Sequence, residues 1–154
     1  MTRLAVMVLA VVSTLMPATT LAEPSPPAVE PLRQPPATPS AESEYNRGVR
    51  ARLAKDWSAA EKAFRAAIAL RAAYPEAWND LGYALRNQGR YADSLKAYDE
   101  ALRLRPNFPE ALEYLGEAYV KLGRLDDARK TLERLRPLDA KLAQELAEVI
   151  QKGR

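Results

Sequence analysis

Apolar residues between positions 41 and 152 recur every three or four residues, which places them on one face of an α-helix. No stretch shows the alternation of apolar and polar residues that is typical of a half-buried strand. Proline and glycine mark the ends of the segments: Pro75 begins one, Gly89 follows its end, and Pro106 stops the next. The pattern predicts an all-α chain, with helices from Pro75 to Gly89 and from about Ala92 to Arg105.

The same residue types return every 34 residues. Six columns in register indicate an array of repeated helix pairs. Small residues in these columns are predicted to let the two helix axes of a pair approach closely. The columns are Gly48, Gly82 and Gly116; Pro75 and Pro109; Gly89 and Gly123; Ala60, Ser94 and Ala128; Phe64, Tyr98 and Leu132; and Trp57, Tyr91 and Leu125.

The middle unit reads Trp78-x2-Leu81-Gly82-x2-Leu85, followed by Gly89, Tyr91, Ser94, Tyr98, Ala101 and Pro106. This motif resembles the tetratricopeptide repeat. The resemblance covers three units, 41–74, 75–108 and 109–142, and implies an α-solenoid of three helix-turn-helix repeats. The first unit departs from the pattern at Lys55, where the other two have glycine; a left-handed helix end there costs on the order of 1 kcal/mol.

The end of the chain carries a separate apolar stripe after Pro137. Leu138, Leu142, Leu146 and Ile150 follow one another at intervals of four residues. The stripe predicts an amphipathic capping helix over 138–152 that covers the open face of the last repeat. A partner-binding helix is the alternative.

The first 40 residues do not belong to the repeats. Arg3 precedes an apolar run over 4–16, and Thr20-Leu21-Ala22 supplies the small residues of a cleavage site, so 1–22 is predicted to be a signal peptide. A membrane anchor is the alternative, but the run is shorter than the ~20 residues that span a bilayer. Residues 23–40 contain seven prolines and are predicted to form a disordered linker, or alternatively a Pro-rich ligand.

The resemblance implies a concave groove, lined by the first helix of each unit, that holds an extended or helical peptide. The side of each first helix that faces away from its partner helix is left for the groove. Arg52 and Glu110 belong to this wider set. The candidate peptide-binding residues are Tyr45, Asn79, Tyr83, Arg86, Asn87, Glu113 and Glu117. For the two tyrosines, packing is the alternative role.

Charge in the third unit predicts an acidic wall. Glu110, Glu113 and Glu117 project to one side of a helix, where only Lys121 offsets them. Alternatively, Glu117 pairs with Lys121, and Glu110 stabilises the helix dipole. The wall would suit a ligand of basic or neutral character.

One sub-family of tetratricopeptide proteins clamps the acidic tail of heat-shock chaperones with lysine, asparagine and arginine. The equivalent positions in this sequence are Tyr45, Val49, Asp80, Glu110 and Tyr114. All five differ and two have the opposite charge, so the sequence does not predict a carboxylate clamp.

The amino-acid composition excludes several kinds of catalytic and metal-binding site. The chain has no cysteine and no histidine, which excludes disulfides, cysteine-ligated metals and histidine-based nucleophilic sites. The tight carboxylate pairs, Glu113/Glu117 and Asp126/Asp127, are predicted to lie on an open groove and at a helix start, so no enclosed pocket separates their pKa values. We expect no catalysis, cofactor or metal. A net charge of +3 is too small to indicate nucleic-acid binding.

Together these features predict an exported scaffold or assembly factor, periplasmic or secreted, that binds a protein or peptide partner in its groove and has no membrane span after signal cleavage. Two alternatives remain open at this point. One is a self-associating solenoid that builds a homo-oligomer. The other is an accessory subunit of an envelope assembly machine.

Overall fold

The structure, a computed structural model, describes residues 39–153. These residues form seven α-helices and no strand, which confirms the predicted all-α fold. The predicted signal peptide, and the predicted linker up to residue 38, lie outside the described residues. The helices are α1 Ala41–Leu53, α2 Trp57–Leu70, α3 Pro75–Asn87, α4 Tyr91–Leu104, α5 Pro109–Lys121, α6 Leu125–Leu135 and α7 Ala140–Lys152.

The helices pack as three successive hairpins followed by a single helix. α1 packs against α2, α3 against α4 and α5 against α6, and each hairpin packs on the next. α1 also contacts α3, and α3 contacts α5, so the first helices of the hairpins form one inner layer. This is the α-solenoid of helix pairs that the 34-residue repeat predicts.

Local sequence signals determine where the inner helices begin. Ser40 caps α1 through a capping box with Ser43, in which each side chain bonds the backbone N–H of the other residue. Pro75 and Pro109 occupy the first turns of α3 and α5, where the missing N–H costs no helical hydrogen bond.

The tight turns that follow α1, α3 and α5 each contain one residue with a positive φ. The angle is 77° at Gly89 and 71° at Gly123, values that glycine adopts without strain. The equivalent residue of the first turn is Lys55, with a φ of 58°. The expectation that Lys55 stands at a left-handed helix end is confirmed, and its Cβ atom makes this the strained turn of the three.

Glycine also permits the close approach of helices in the inner layer. A Cβ atom on Gly82 would lie 2.5 Å from Cε1 of Tyr98, whose ring is fully buried. In the third hairpin, a Cβ atom on Gly116 would instead lie 2.5 Å from Cδ2 of Leu146, a residue of α7. The side chain of Leu146 therefore packs on Gly116 as the ring of Tyr98 packs on Gly82, although α6 remains the second helix of the third hairpin.

α7 covers the open end of the third hairpin and packs against both α5 and α6. Asp139 caps its first turn by accepting hydrogen bonds from two backbone N–H groups. Leu146 and Ile150 are buried, as the predicted capping helix requires. Leu138, however, precedes the helix and is 37% exposed, so the helix begins two residues later than predicted, at Ala140.

Candidate functional site

The inner layer borders a cleft of about 460 Å³. α1, α3 and α5 each contribute side chains, and the connection between α4 and α5 contributes others. The lining residues are Tyr45, Arg52, Glu76, Asn79, Asp80, Arg105, Asn107, Phe108, Pro109, Glu110 and Tyr114.

Helical spacing on α3 brings three polar residues to the cleft. Glu76, Asn79 and Asp80 stand at positions i, i+3 and i+4 and therefore share one face. Glu76 forms an ion pair with Arg105, whose guanidinium lies 4.5 Å from the ring centroid of Phe108. Burial acts to raise the pKa of Glu76, but the hydrogen bond from Arg105 holds this pKa below its usual value. These two charges therefore compensate each other.

Asp80 is the buried carboxylate of the cleft and is only 8% exposed. The hydroxyl of Tyr45 donates a hydrogen bond of 2.9 Å to its Oδ2 atom. Burial raises the pKa of Asp80 above its usual value, although the Tyr45 hydrogen bond and the charge of Arg52 act to lower it. Burial and the neighbouring Asp80 charge raise the pKa of Tyr45, so the phenol remains the donor. Among residues 39–153, the hydroxyl of Tyr45 and the charge of Arg52 thus compensate the Asp80 carboxylate only in part.

Two buried polar atoms at the cleft have no hydrogen-bond partner among the described residues. They are Oδ1 of Asn79, an acceptor, and Nε of Arg52, a donor. The Asn79 residue is 6% exposed. Such atoms are rare in folded proteins, because a buried polar group without a partner loses the hydrogen bonds that water gave it. A ligand in the cleft that donates to Asn79 Oδ1 and accepts from Arg52 Nε would supply these missing partners.

An aromatic–arginine cluster, formed by Trp57, Tyr83, Arg86, Tyr114 and Glu117, joins the three hairpins beside the cleft. The ring centroid of Tyr83 lies 5.9 Å from that of Trp57 and 5.1 Å from that of Tyr114. The Arg86 guanidinium lies 5.2 Å from the centroids of both tyrosines and forms an ion pair with Glu117. These contacts order the inner layer from one repeat to the next.

The structure brings five of the seven candidate residues into this region. Tyr45 and Asn79 line the cleft, and Tyr83, Arg86 and Glu117 belong to the cluster. Tyr45 also packs: its ring centroid lies 5.7 Å from that of Phe64 and 5.0 Å from that of Tyr74. Asn87 is exposed at the end of α3, where its Nδ2 donates a hydrogen bond of 2.8 Å to the carbonyl of Tyr83.

The placement of Glu113 on an open groove is wrong. Glu113 is 8% exposed and lies near Glu145 of α7. Burial and the charge of Glu145 raise the pKa of Glu113 to about 7. The capping helix, whose position relative to α5 is not visible in the repeat pattern, therefore places Glu113 in a helix interface.

The predicted acidic wall is also wrong. Glu117 pairs with Arg86, one repeat away, and this guanidinium rather than Lys121 neutralises it. With Glu113 buried as well, only Glu110 of the three glutamates is an exposed side chain. The acidic character of the inner face is therefore concentrated at the cleft, around Asp80 and Glu110.

Arg52 belongs to the wider groove set that the sequence predicts, but three further residues of this region do not: Asp80, Tyr114 and Glu145. Asp80 and Tyr114 each follow a selected candidate directly, one 100° step further round the helix, and both face the cleft. A wider sector on each inner helix would have included them. Glu145 carries no such signal, because its proximity to Glu113 depends on how α7 docks.

Over 39–153, no three or more acidic residues come together in a geometry that could hold a metal ion. None of the seven described helices has both the length and the apolar character needed to cross a bilayer.

The sequence profile of the tetratricopeptide repeat family matches residues 45–107 and 79–143. The chain belongs to the tetratricopeptide repeat family. The resemblance that the 34-residue motif indicates is thereby confirmed. No curated protein is significantly similar to the chain in sequence.

Solved structures with the same fold include two TPR domains, from yeast and human, and a bacterial secretion chaperone. The TPR2B domain of yeast Sti1, in its pHsp70 complex, is 22% identical, covers 73% of this chain and 94% of that chain, and has a TM-score of 0.69. The Yersinia enterocolitica type III secretion chaperone SycD, in complex with a peptide of the translocator YopD, is 18% identical. The match covers 73% of this chain and 90% of that chain and has a TM-score of 0.68. The second TPR domain of human RPAP3, in complex with an HSP70 peptide, is 23% identical. The match covers 72% of this chain and 94% of that chain and has a TM-score of 0.68. At these identities the likeness shows the fold.

Proposed function

We propose that the protein is an interaction scaffold that binds an extended peptide segment of a partner in the cleft of its inner layer. The observation that carries the proposal is the pair of unpartnered buried atoms, Asn79 Oδ1 and Arg52 Nε, in one open cleft. Peptide main chain offers both a donor and an acceptor. The solved SycD and RPAP3 domains, which hold peptides, support the same use of the fold.

Selection of peptides from a random phage-displayed library on the full chain tests this proposal. Peptides enriched on the wild-type protein should lose binding on Asn79→Leu, which removes the cleft amide but preserves the volume of the side chain. The control is Gln144→Leu, an amide of α7 that lines a separate depression of about 560 Å³. Enriched peptides that respond to Gln144→Leu and not to Asn79→Leu, or the absence of any enriched peptide, would contradict the proposal.

We further propose that the scaffold is exported and acts in an assembly role in the cell envelope. The support is sequence alone: the apolar run over 4–16 and the Thr20-Leu21-Ala22 site. Mass spectrometry of protein recovered from the periplasm of a bacterial host should find Glu23 at the N-terminus. An intact Met1 in the soluble protein would contradict export.

Self-association is the alternative function, and two exposed leucines favour it. Leu53 is 72% exposed and Leu70 is 54% exposed, both in the first hairpin. Sedimentation at increasing concentration distinguishes the two uses, because a homo-oligomer gains mass with concentration whereas a peptide-binding monomer does not.

A further inference from the structure

We propose that the cleft selects a partner segment with a lysine or arginine side chain, which lies against Asp80 between the rings of Tyr45 and Tyr114. This inference rests on the proposed peptide-binding function and specifies the chemistry of its ligand. Three independent features of the cleft support it: its charge, its aromatic walls and its unpartnered atoms.

The charges of the cleft leave an acidic surplus. Glu76 and Arg105 form an ion pair, so their opposite charges cancel and neither contributes to the net charge of the cleft. Arg52 then faces two carboxylates, those of Asp80 and Glu110. Its guanidinium also lies 5.6 Å from the ring centroid of Tyr83, so it is shared with the aromatic–arginine cluster. A cationic side chain from a partner would complement this surplus, whereas an acidic side chain would meet a buried like charge.

The aromatic walls suit the same kind of side chain. Tyr45 and Tyr114 line the cleft from α1 and α5, on either side of Asp80 in α3. A cation over a tyrosine ring is attracted by the negative face of the ring, and the methylene stem of lysine or arginine packs on apolar surface. Within the same cleft, Arg105 already lies over the ring of Phe108. A cationic side chain is therefore compatible with both the rings and the carboxylate.

The unpartnered atoms position the backbone of the ligand. Asn79 Oδ1 accepts and Arg52 Nε donates, so one peptide segment can donate an N–H to the first and accept from the second through a carbonyl. Asn79 directly precedes Asp80 in α3, so main-chain and side-chain recognition lie next to each other. The burial of both Asn79 and Asp80 keeps these groups out of competition with water.

Three pools of random nonapeptides, each with one fixed central residue, test the proposal by fluorescence anisotropy on the full chain. The fixed residue is lysine, leucine or glutamate. We expect wild-type protein to bind the lysine pool about tenfold more tightly than the other two, the effect of one charge-assisted contact. Asp80→Asn should abolish the preference for the lysine pool. The side-chain oxygen of the asparagine can still accept the hydrogen bond from Tyr45. Asp99→Asn, the same change at an exposed residue of α4, should retain it.

A second variant covers the case in which Asp80→Asn does not fold. Glu110→Lys changes an exposed residue at the rim of the cleft. It should weaken the binding of the lysine pool relative to the binding of the glutamate pool. Binding of all three pools with equal affinity, or a glutamate preference, would overturn this inference while the proposed function stands. If no pool binds, the proposed function itself fails.

Discussion

The hydroxyl of Tyr45 donates a hydrogen bond of 2.9 Å to the carboxylate of Asp80, which joins the first helix of the first repeat to the first helix of the second. The two residues are 35 positions apart, so the bond links adjacent repeats through the inner layer and not through a turn. It fixes the buried carboxylate on which the proposed ligand recognition depends.

Tyr45→Phe should destabilise the fold, because it leaves the buried Asp80 carboxylate without this donor. A hydrogen bond to a charged group contributes about 1.5–3 kcal/mol. The bond lowers the pKa of Asp80, so its loss raises that pKa further, and the cost should be greatest where Asp80 is ionised. Urea denaturation should therefore show a larger difference at pH 7 than at pH 3. Equal differences at both values would mean that the bond does not depend on the charge.

Glu113→Gln should stabilise the protein at alkaline pH and leave it unchanged in acid. The pKa of Glu113 is raised to about 7 from 4.5, so the folded protein loses stability as the pH rises through about 7. Glutamine carries no charge and avoids this loss. We expect a gain of roughly 1–2 kcal/mol at pH 8 and none at pH 4, measured by urea denaturation.

The control for this variant is Glu110→Gln on the same helix, an exposed residue whose substitution should change stability by less than about 0.5 kcal/mol at either pH. A pH-independent effect of Glu113→Gln would show that the side chain is solvated and that α7 does not cover it.

Lys55→Gly should stabilise the chain by about 0.5–1 kcal/mol, because glycine adopts the φ of 58° at this turn without a Cβ clash. Ala54→Gly is the matched control. Ala54 has a φ of −77°, which alanine adopts freely, so glycine there only adds entropy to the unfolded chain and should destabilise. Thermal denaturation of the two variants should give shifts of opposite sign. A loss of stability in Lys55→Gly would mean that the lysine side chain has a stabilising role.

Gly82→Ala should destabilise more than Gly116→Ala. The new Cβ atom would meet the ring of Tyr98 at 2.5 Å in the first case and both methyl groups of Leu146, at 2.5 and 2.7 Å, in the second, and both side chains are fully buried. A tyrosine ring is rigid, whereas the isobutyl group of leucine can turn about χ2, so overpacking of about 1–3 kcal/mol is expected at Gly82. Equal costs in chemical denaturation would indicate that α7 packs as rigidly on α5 as α4 packs on α3.

The helices and the repeat could be predicted because their signals are local. Pro75 and Gly89 mark the ends of α3, and the apolar spacing between them determines which face packs. The contacts of the site could not be predicted in the same way, since they join different repeats. Arg86 reaches Glu117 on the next inner helix. The sequence of neither helix, taken alone, indicates that Arg86 and Glu117 form an ion pair.

The same limit explains the error at Glu113. On α5 alone, Glu110, Glu113 and Glu117 share a face, and the sequence predicts one exposed acidic surface. The docking of α7 buries the middle residue, and Arg86 neutralises the last. Charge patterning therefore identified the helix face but not its neighbours.

The most direct test of the account is an NMR titration of the ¹⁵N-labelled full chain with the tightest-binding individual peptide from the phage-displayed selection. Peptide binding in the cleft predicts that the largest amide shift changes occur at Asn79, Asp80 and Tyr114, with little change on the outer helices α2, α4 and α6. Saturating shifts confined to those outer helices, or to the depression around Gln144 of α7, with the cleft amides unmoved, would contradict it.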